Sequence, residues 1–166
     1  RTAPLSKYFE MMRKEAARLG ETTKYSASQA AAALENLVRN GMDARNATKA
    51  LSSVLELAGA NAIELAEAAD IVTNTMNMFS LSVEELGRVN DVLSKTTASS
   101  ATNLTDLYEA LKYAAPTANL FGINIEEVNA ALGVLANQGI KGSQAGTTLR
   151  NVLNSLVKPS REAKDI

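Results

Sequence analysis

Asn77-Met-Phe-Ser-Leu-Ser-Val-Glu-Glu-Leu86 returns 42 residues downstream as Asn119-Leu-Phe-Gly-Ile-Asn-Ile-Glu-Glu-Val128, with identity or like-for-like replacement at nearly every position. Each copy reads as the end of one helix, a tight corner carrying a hydrophobe, and the start of the next helix. In the corner, Ser82 with Glu85 and Asn124 with Glu127 place a side-chain acceptor at the cap and a carboxylate three residues on. That spacing lets each satisfy an orphan amide of the new helix. The same shift aligns Asn61 with Asn103, Leu65 with Leu107 and then Leu149, and Val92-Leu93 with Val134-Leu135, and a fainter copy begins at Gly41-Met42-Asp43. The unit is a helical pair with Met42, Leu81 or Ile123 as its buried corner hydrophobe, about the length of known helical repeats.

Outward from the repeat, apolar residues recur at intervals of three and four and alanine is abundant, which favours helix throughout and gives no strand. The expected fold is all-α, about eight helices in pairs of roughly 42 residues, forming a compact bundle or a short curved array without β-sheet. Pairs of this kind bury their faces only by stacking on neighbours. A first helix is expected from Leu5 to Leu19, ending before Gly20, and a second from the Ser26/Ser28 caps to Arg39, ending at Gly41. Asp43, Asn61, Ser82, Asn103, Asn124 and Ser143 read as later N-caps. Pro116 falls inside the stretch from Asn103 to Phe121, where it must kink the helix near Tyr113 or divide it. Pro159 stops the last full helix and Ser160 begins another segment. The organisation is then residues 1–25 as an N-terminal helix and linker, 26–158 as the main helical domain, and 159–166 as the start of the following segment. A first residue Arg1 and an end in mid-pattern at Ile166 read as a segment of a longer protein.

The densest special backbone is Gly139-Ile-Lys-Gly-Ser-Gln-Ala-Gly-Thr-Thr-Leu-Arg150. A glycine-rich turn opening a helix suits phosphate, because free amides and the helix dipole meet there. A P-loop, however, ends Gly-Lys-Ser/Thr, whereas Lys141 here precedes Gly142 and Ser143. The structural reading has Gly139 closing one helix in a left-handed conformation, Ser143 capping the next, Gly146 admitting a close neighbour, and Arg150 pairing with a carboxylate or a helix end.

Composition narrows the chemistry. The chain has 166 residues, 46% hydrophobic, with no histidine and no cysteine. Zinc sites of the usual kind, thiol chemistry and an imidazole base are therefore excluded, and no metal or cofactor site is expected. Candidate acids such as Asp70, Asp91 and Asp106 have ordinary surface or capping roles. The neighbouring pairs Glu84/Glu85 and Glu126/Glu127 point about 100° apart on a helix and cannot share a proton. A net charge of −1 with both signs scattered offers no basic face for nucleic acid. No window approaches the eighteen or so apolar residues of a membrane span.

From about Tyr25 to Pro159 the chain resembles the conserved region of the tail tape measure proteins of long-tailed phages and related tail-like particles. The residues that carry the resemblance are Leu55-Glu-Leu-Ala-Gly-Ala60, Leu65-Ala-Glu-Ala-Ala-Asp-Ile71, Asp91-Val-Leu-Ser94, Tyr113-Ala-Ala-Pro116 with Ala118 and Gly122, and above all Gly139 to Arg150. The positions that mark it structurally are Pro116, Gly122, Gly139, Gly142, Ser143, Gly146, Leu149 and Arg150. The resemblance implies a non-enzymatic virion protein acting in tail assembly, tail length determination and DNA ejection. It implies residence in the tail tube lumen or tail tip, and in the host cytoplasm during assembly. Partners implied are further copies of itself, tail tube and distal tail proteins, tail assembly chaperones and the host inner membrane, with no specific nucleic-acid site. The alternative function is a membrane-active domain helping to form a DNA conduit through that membrane, by amphipathic helices that rearrange.

Overall fold

The computed structural model describes residues 5–157, and over these the chain is all-α. Eight helices follow one another: α1 Leu5–Thr22, α2 Ala27–Arg39, α3 Ala44–Asn61, α4 Leu65–Phe79, α5 Leu86–Ser99, α6 Leu104–Leu120, α7 Ile125–Asn137 and α8 Gly142–Val157, with a 3₁₀ turn at Val83–Glu85. The expected stop at Pro159, the new start at Ser160 and the segment 159–166 lie outside the described residues.

Five corners share one hydrogen-bond pattern, and it explains the repeat. A residue turns left-handed: Gly41 (φ +96°), Ala62 (+52°), Ser80 (+56°), Gly122 (+73°) or Gly139 (+84°). The apolar residue after it, Met42, Ile63, Leu81, Ile123 or Ile140, donates its N–H to the carbonyl five residues back, at 2.8–3.2 Å. The third residue, Asp43, Glu64, Ser82, Asn124 or Lys141, then accepts the first backbone bond of the next turn. This is the Schellman ending, in which the left-handed residue lets the chain leave the helix while its last carbonyls stay bonded. Met42, Leu81 and Ile123 are half-buried rather than buried. The corner hydrophobe covers the last turn of its own helix, a local contact that leaves one side wet.

Glycine occupies three of these corners because a left-handed backbone costs a side-chain-bearing residue about 1–2 kcal/mol. Ala62 and Ser80 bear that strain. Ala62→Gly should stabilise the chain by roughly 0.5–1 kcal/mol, the relief less glycine's greater freedom when unfolded; at Ser80 the same relief is offset by loss of the bond that its hydroxyl accepts from Asn119. A thermal melt reads this directly, and a lower melting temperature for Ala62→Gly would refute the assignment.

Several caps stand where the spacing puts them. The side chains of Ser26, Asp43, Asn103 and Asn124 accept from the amides of Gln29, Asn46, Asp106 and Glu127. Three expectations fail, and at Pro116 one of two alternatives falls. The helix does not stop before Gly20, since α1 runs to Thr22. Gly20 is there for space: a Cβ on it would lie 2.5 Å from the Ala27 amide nitrogen. Asn61 is not a cap but the last residue of α3, donating its side-chain amide to the Leu57 carbonyl at 3.0 Å. The left-handed Ala62 makes that corner, so α4 begins later, at Leu65. Ser143 does not cap α8. That helix already begins at Gly142, whose φ is +55°, and its first bond runs from the Ala145 amide to the Lys141 carbonyl. Finally, Pro116 does not divide α6, which is one helix from Leu104 to Leu120. Pro116 is exposed, as is Lys112 one turn earlier, so the carbonyl that loses its partner lies on the wet side of the helix.

Among the described residues two compact units form. One takes residues up to Met76 together with Leu81–Asn90, and the other takes Asn77–Ser80 with the residues from Asp91 onward. In the first, α1, α2 and α3 pack on one another. Its α2 buries Ala30, Ala33, Leu34 and Leu37, the spacing of one helical face. Leu37, Leu51, Val54, Leu57, Ile71 and Val72 are fully buried. Each such side chain contributes about 1.5–3 kcal/mol, more than any single cap at about 1 kcal/mol. Side-chain bonds fasten the elements: Asn40 Nδ2 donates to Asp70 Oδ1 at 2.6 Å, and Asn90 Nδ2 to the Ser53 carbonyl at 2.7 Å.

In the second unit α6 is central, packing on α7 and most extensively on α8. Leu93, Leu104, Leu107, Leu111, Ile125 and Leu132 form the core. Asn137 Oδ1 accepts the Ala101 amide at 2.8 Å, and Asn119 Nδ2 donates to Ser80 Oγ at 3.3 Å.

Candidate interaction face

The connector and α8 are built around one close crossing. A Cβ on Gly146 would lie 2.1 Å from the Ala110 carbonyl oxygen and 2.8 Å from its carbon, both backbone atoms of α6. A Cβ on Gly142 would lie 3.9 Å from Asp106 Oδ1. From Gly142 to Gly146 and from Asp106 to Ala110 both helices advance one turn in the same sense, so α6 and α8 run parallel. Leu149 and Leu153 continue the buried face that Ala145 and Gly146 begin.

The same geometry disposes of a phosphate cradle. Asp106 stands beside the opening turn of α8, where it supplies the negative charge that the helix dipole favours and repels a second anion. Its carboxylate also serves α6, accepting from Asn103 Nδ2 at 3.1 Å. Lys141 is exposed on the corner. Arg150, expected to pair with a carboxylate or helix end, is half-buried and forms no ion pair among the described residues. α8 contains no acid, so its own helix offers Arg150 no partner three or four residues away.

The eight positions singled out from the sequence therefore do not form one cluster. Gly139, Gly142, Ser143, Gly146, Leu149 and Arg150 share the connector and its helix. Gly122 makes a separate left-handed corner, and Pro116 sits on the exposed side of α6.

The carboxylates have structural work. Glu85 accepts from the Ser82 amide at 3.0 Å and hydroxyl at 3.2 Å. These bonds, the backbone one foremost, hold its carboxyl below the ordinary carboxylate range, with Arg88 assisting. Glu84 is likewise lowered, first by its own backbone amide and then by Lys49, whose Nζ lies 3.1 Å away. Both are thus ionised together and neither stores a proton for transfer. Glu127 accepts the Asn124 amide at 3.0 Å, completing the capping box at the start of α7. Among the described residues no group of acids is placed to hold a metal ion, and no helix is long and apolar enough to cross a membrane.

Two apolar surfaces are left open. Between α1 and α2 a groove of about 610 Å³ is lined by Phe9, Met12, Ala16, Ala31, Leu34 and Val38. At the far end of the second unit Leu120, Val152, Leu156 and Val157 are exposed. The charge-poor composition of α8 is visible in the sequence, but which of its apolar residues stay uncovered depends on where α6 crosses it.

Comparison with known proteins places the chain among phage tail proteins. Residues 13–166 match the family model described as phage-related minor tail protein. The tape measure protein of Pneumococcus phage Dp-1 is 37% identical over 150 residues, covering 90% of this chain and 13% of that protein. The probable tape measure protein of Escherichia phage P2 is 36% identical over 154 residues, covering 93% of this chain and 19% of its own length. The chain thus spans less than a fifth of either relative. No solved structure matches it.

Proposed function

The chain belongs to the phage-related minor tail protein family, and from that premise we propose that it is a folded docking module of a tail tape measure protein. The observation that carries this reading is the set of five left-handed corners, which break the chain into helices of at most 18 residues. A tape measures length only where it is extended, and a helix rises about 1.5 Å per residue. Folded as here, the longest helix covers about 27 Å, whereas the 153 described residues in one continuous helix would reach about 230 Å. The segment adds contacts rather than length. Its place is the tail, in the tube lumen or at the tip, where further copies, tube subunits, distal tail proteins and, before assembly, chaperones meet it. The module has no catalytic step, and its contribution to tail assembly and DNA ejection lies in holding the tape measure to its partners.

Deleting residues 41–157 from the full-length protein tests this by the length of the tails produced, measured in electron micrographs. As a continuous helix those residues account for about 175 Å. Tails shortened by far less, or tails that fail to assemble, are the expected result. Shortening by the full helical amount would show that the segment meters length, and the docking reading would be wrong.

A further inference from the structure

Asn40 is the only asparagine in the chain that glycine follows. In an open, flexible backbone that pair is chemically unstable. Glycine has no side chain to obstruct it, so its nitrogen, once its proton passes to a solvent base, attacks the side-chain carbonyl carbon of Asn40. A carbon–nitrogen bond forms, the side-chain nitrogen leaves as ammonia, and a five-membered imide closes. Water then opens the imide at either carbonyl, leaving aspartate or, with the backbone rerouted through the side chain, isoaspartate. One water is consumed and one ammonia released, and nothing is oxidised or reduced.

The fold opposes this reaction at three points. Asn40 is the C-cap of α2 with ψ of 9°, which sets the Gly41 nitrogen against Asn40's own nitrogen and turns it away from Cβ. The Gly41 N–H, which must give up its proton, donates to the Val38 carbonyl at 3.0 Å. Asn40 Nδ2, the leaving nitrogen, donates to Asp70 Oδ1 of α4 at 2.6 Å. When the corner opens all three restraints go, and no neighbour takes their place, since nothing stands within 4 Å of where a Gly41 Cβ would be. We propose that Asn40 is a fold-gated deamidation site, intact while the corner between α2 and α3 is closed and converted when it opens. The change is one-way. A carboxylate at position 40 meets Asp70 where an amide donor stood, and like charges at that distance repel. Isoaspartate also adds a backbone carbon to the turn that the Met42 to Leu37 bond closes at 3.1 Å. Conversion therefore marks a chain that has lost this corner and resists its closing again. This stands apart from the docking reading, which tail length decides.

The test incubates the chain at mildly alkaline pH, folded and in denaturant, and then cleaves it after arginine. Arg39 and Arg45 bracket a peptide from Asn40 to Arg45 that holds no other asparagine, so its mass and isoaspartate content report conversion at this site alone. The folded chain should convert at least about tenfold more slowly than the denatured one, the ratio measuring how rarely the corner opens. In denaturant Gly41→Ala should slow conversion severalfold, a comparison that needs no folding of the variant. Asn40→Asp, which makes one product directly, should lower the melting temperature by about 2–4 °C. Adding Asp70→Asn puts a donor back opposite the new carboxylate and should recover most of that loss. Equal conversion rates in the folded and denatured chains overturn the inference. So does denatured conversion indifferent to Gly41→Ala, or an Asn40→Asp chain that melts with the parent or is not rescued by Asp70→Asn.

Discussion

Gly146→Ala lowers the melting temperature by about 6–12 °C, a loss of about 3 kcal/mol in a chain of this size. The new methyl carbon would lie 2.1 Å from the Ala110 carbonyl oxygen, closer than real side-chain carbons approach such atoms. The obstacle is backbone, so no rotamer change relieves it, and α6 and α8 must separate along the most extensive packing in their unit. Separation opens gaps beside Leu107, Leu111 and Leu149, which loses dispersion contacts as well as buried area. Against this stands alanine's better helix propensity, about 1 kcal/mol in favour of the variant. The clash outweighs that gain. A melting temperature that stayed level or rose would mean that propensity wins and that the two helices do not cross this closely.

Gly20→Ala is the second large effect, about 2 kcal/mol destabilising. Its added carbon meets the Ala27 nitrogen at 2.5 Å, Cα at 2.8 Å and Cβ at 2.9 Å, so the first turn of α2 must retreat from α1. The clash falls next to the short Thr23–Ser26 link, which can give slightly, and this sets the effect below that at Gly146. Gly87→Ala provides the control within the same chain. Gly87 also lies in a helix, α5, but nothing stands within 4 Å of where its Cβ would be. There alanine should stabilise by up to about 1 kcal/mol through propensity alone. The same substitution thus changes sign between two helical glycines. Equal melting shifts at positions 20 and 87 would refute the close-packing account of Gly20.

The two glycines also show where sequence patterns stop being informative. Gly20 follows an amphipathic run and looks like a helix end, as Gly41 does. Gly41 is left-handed and ends α2, while Gly20 continues α1 and serves a neighbour that local sequence does not name. Asn61 and Asn103 align in the repeat, yet only Asn103 caps, because the corner near Asn61 is made by a left-handed alanine that no propensity rule selects. Ser143 has a capping residue type, but Gly142 starts the helix ahead of it. Charge alone assigns Arg150 a partner. With no acid on its own helix, it forms no ion pair among the described residues.

By itself the sequence determined that the chain is helical, that its helices are short, and that it belongs with the tail proteins. Helical periodicity, alanine content and the spacing of most caps act within a few residues, so they are written locally and read locally. The glycine connector's order of residues was specific enough to indicate the family without any contact being known. Only the tertiary structure decided what the glycines are for, which cap positions are used, which corner carries strain, and which apolar residues of α8 remain open. Those properties depend on atoms far apart in sequence. A Cβ at Gly146 is forbidden by a carbonyl 36 residues away, and Val152 and Leu156 are exposed because α6 covers only part of the helix they sit on.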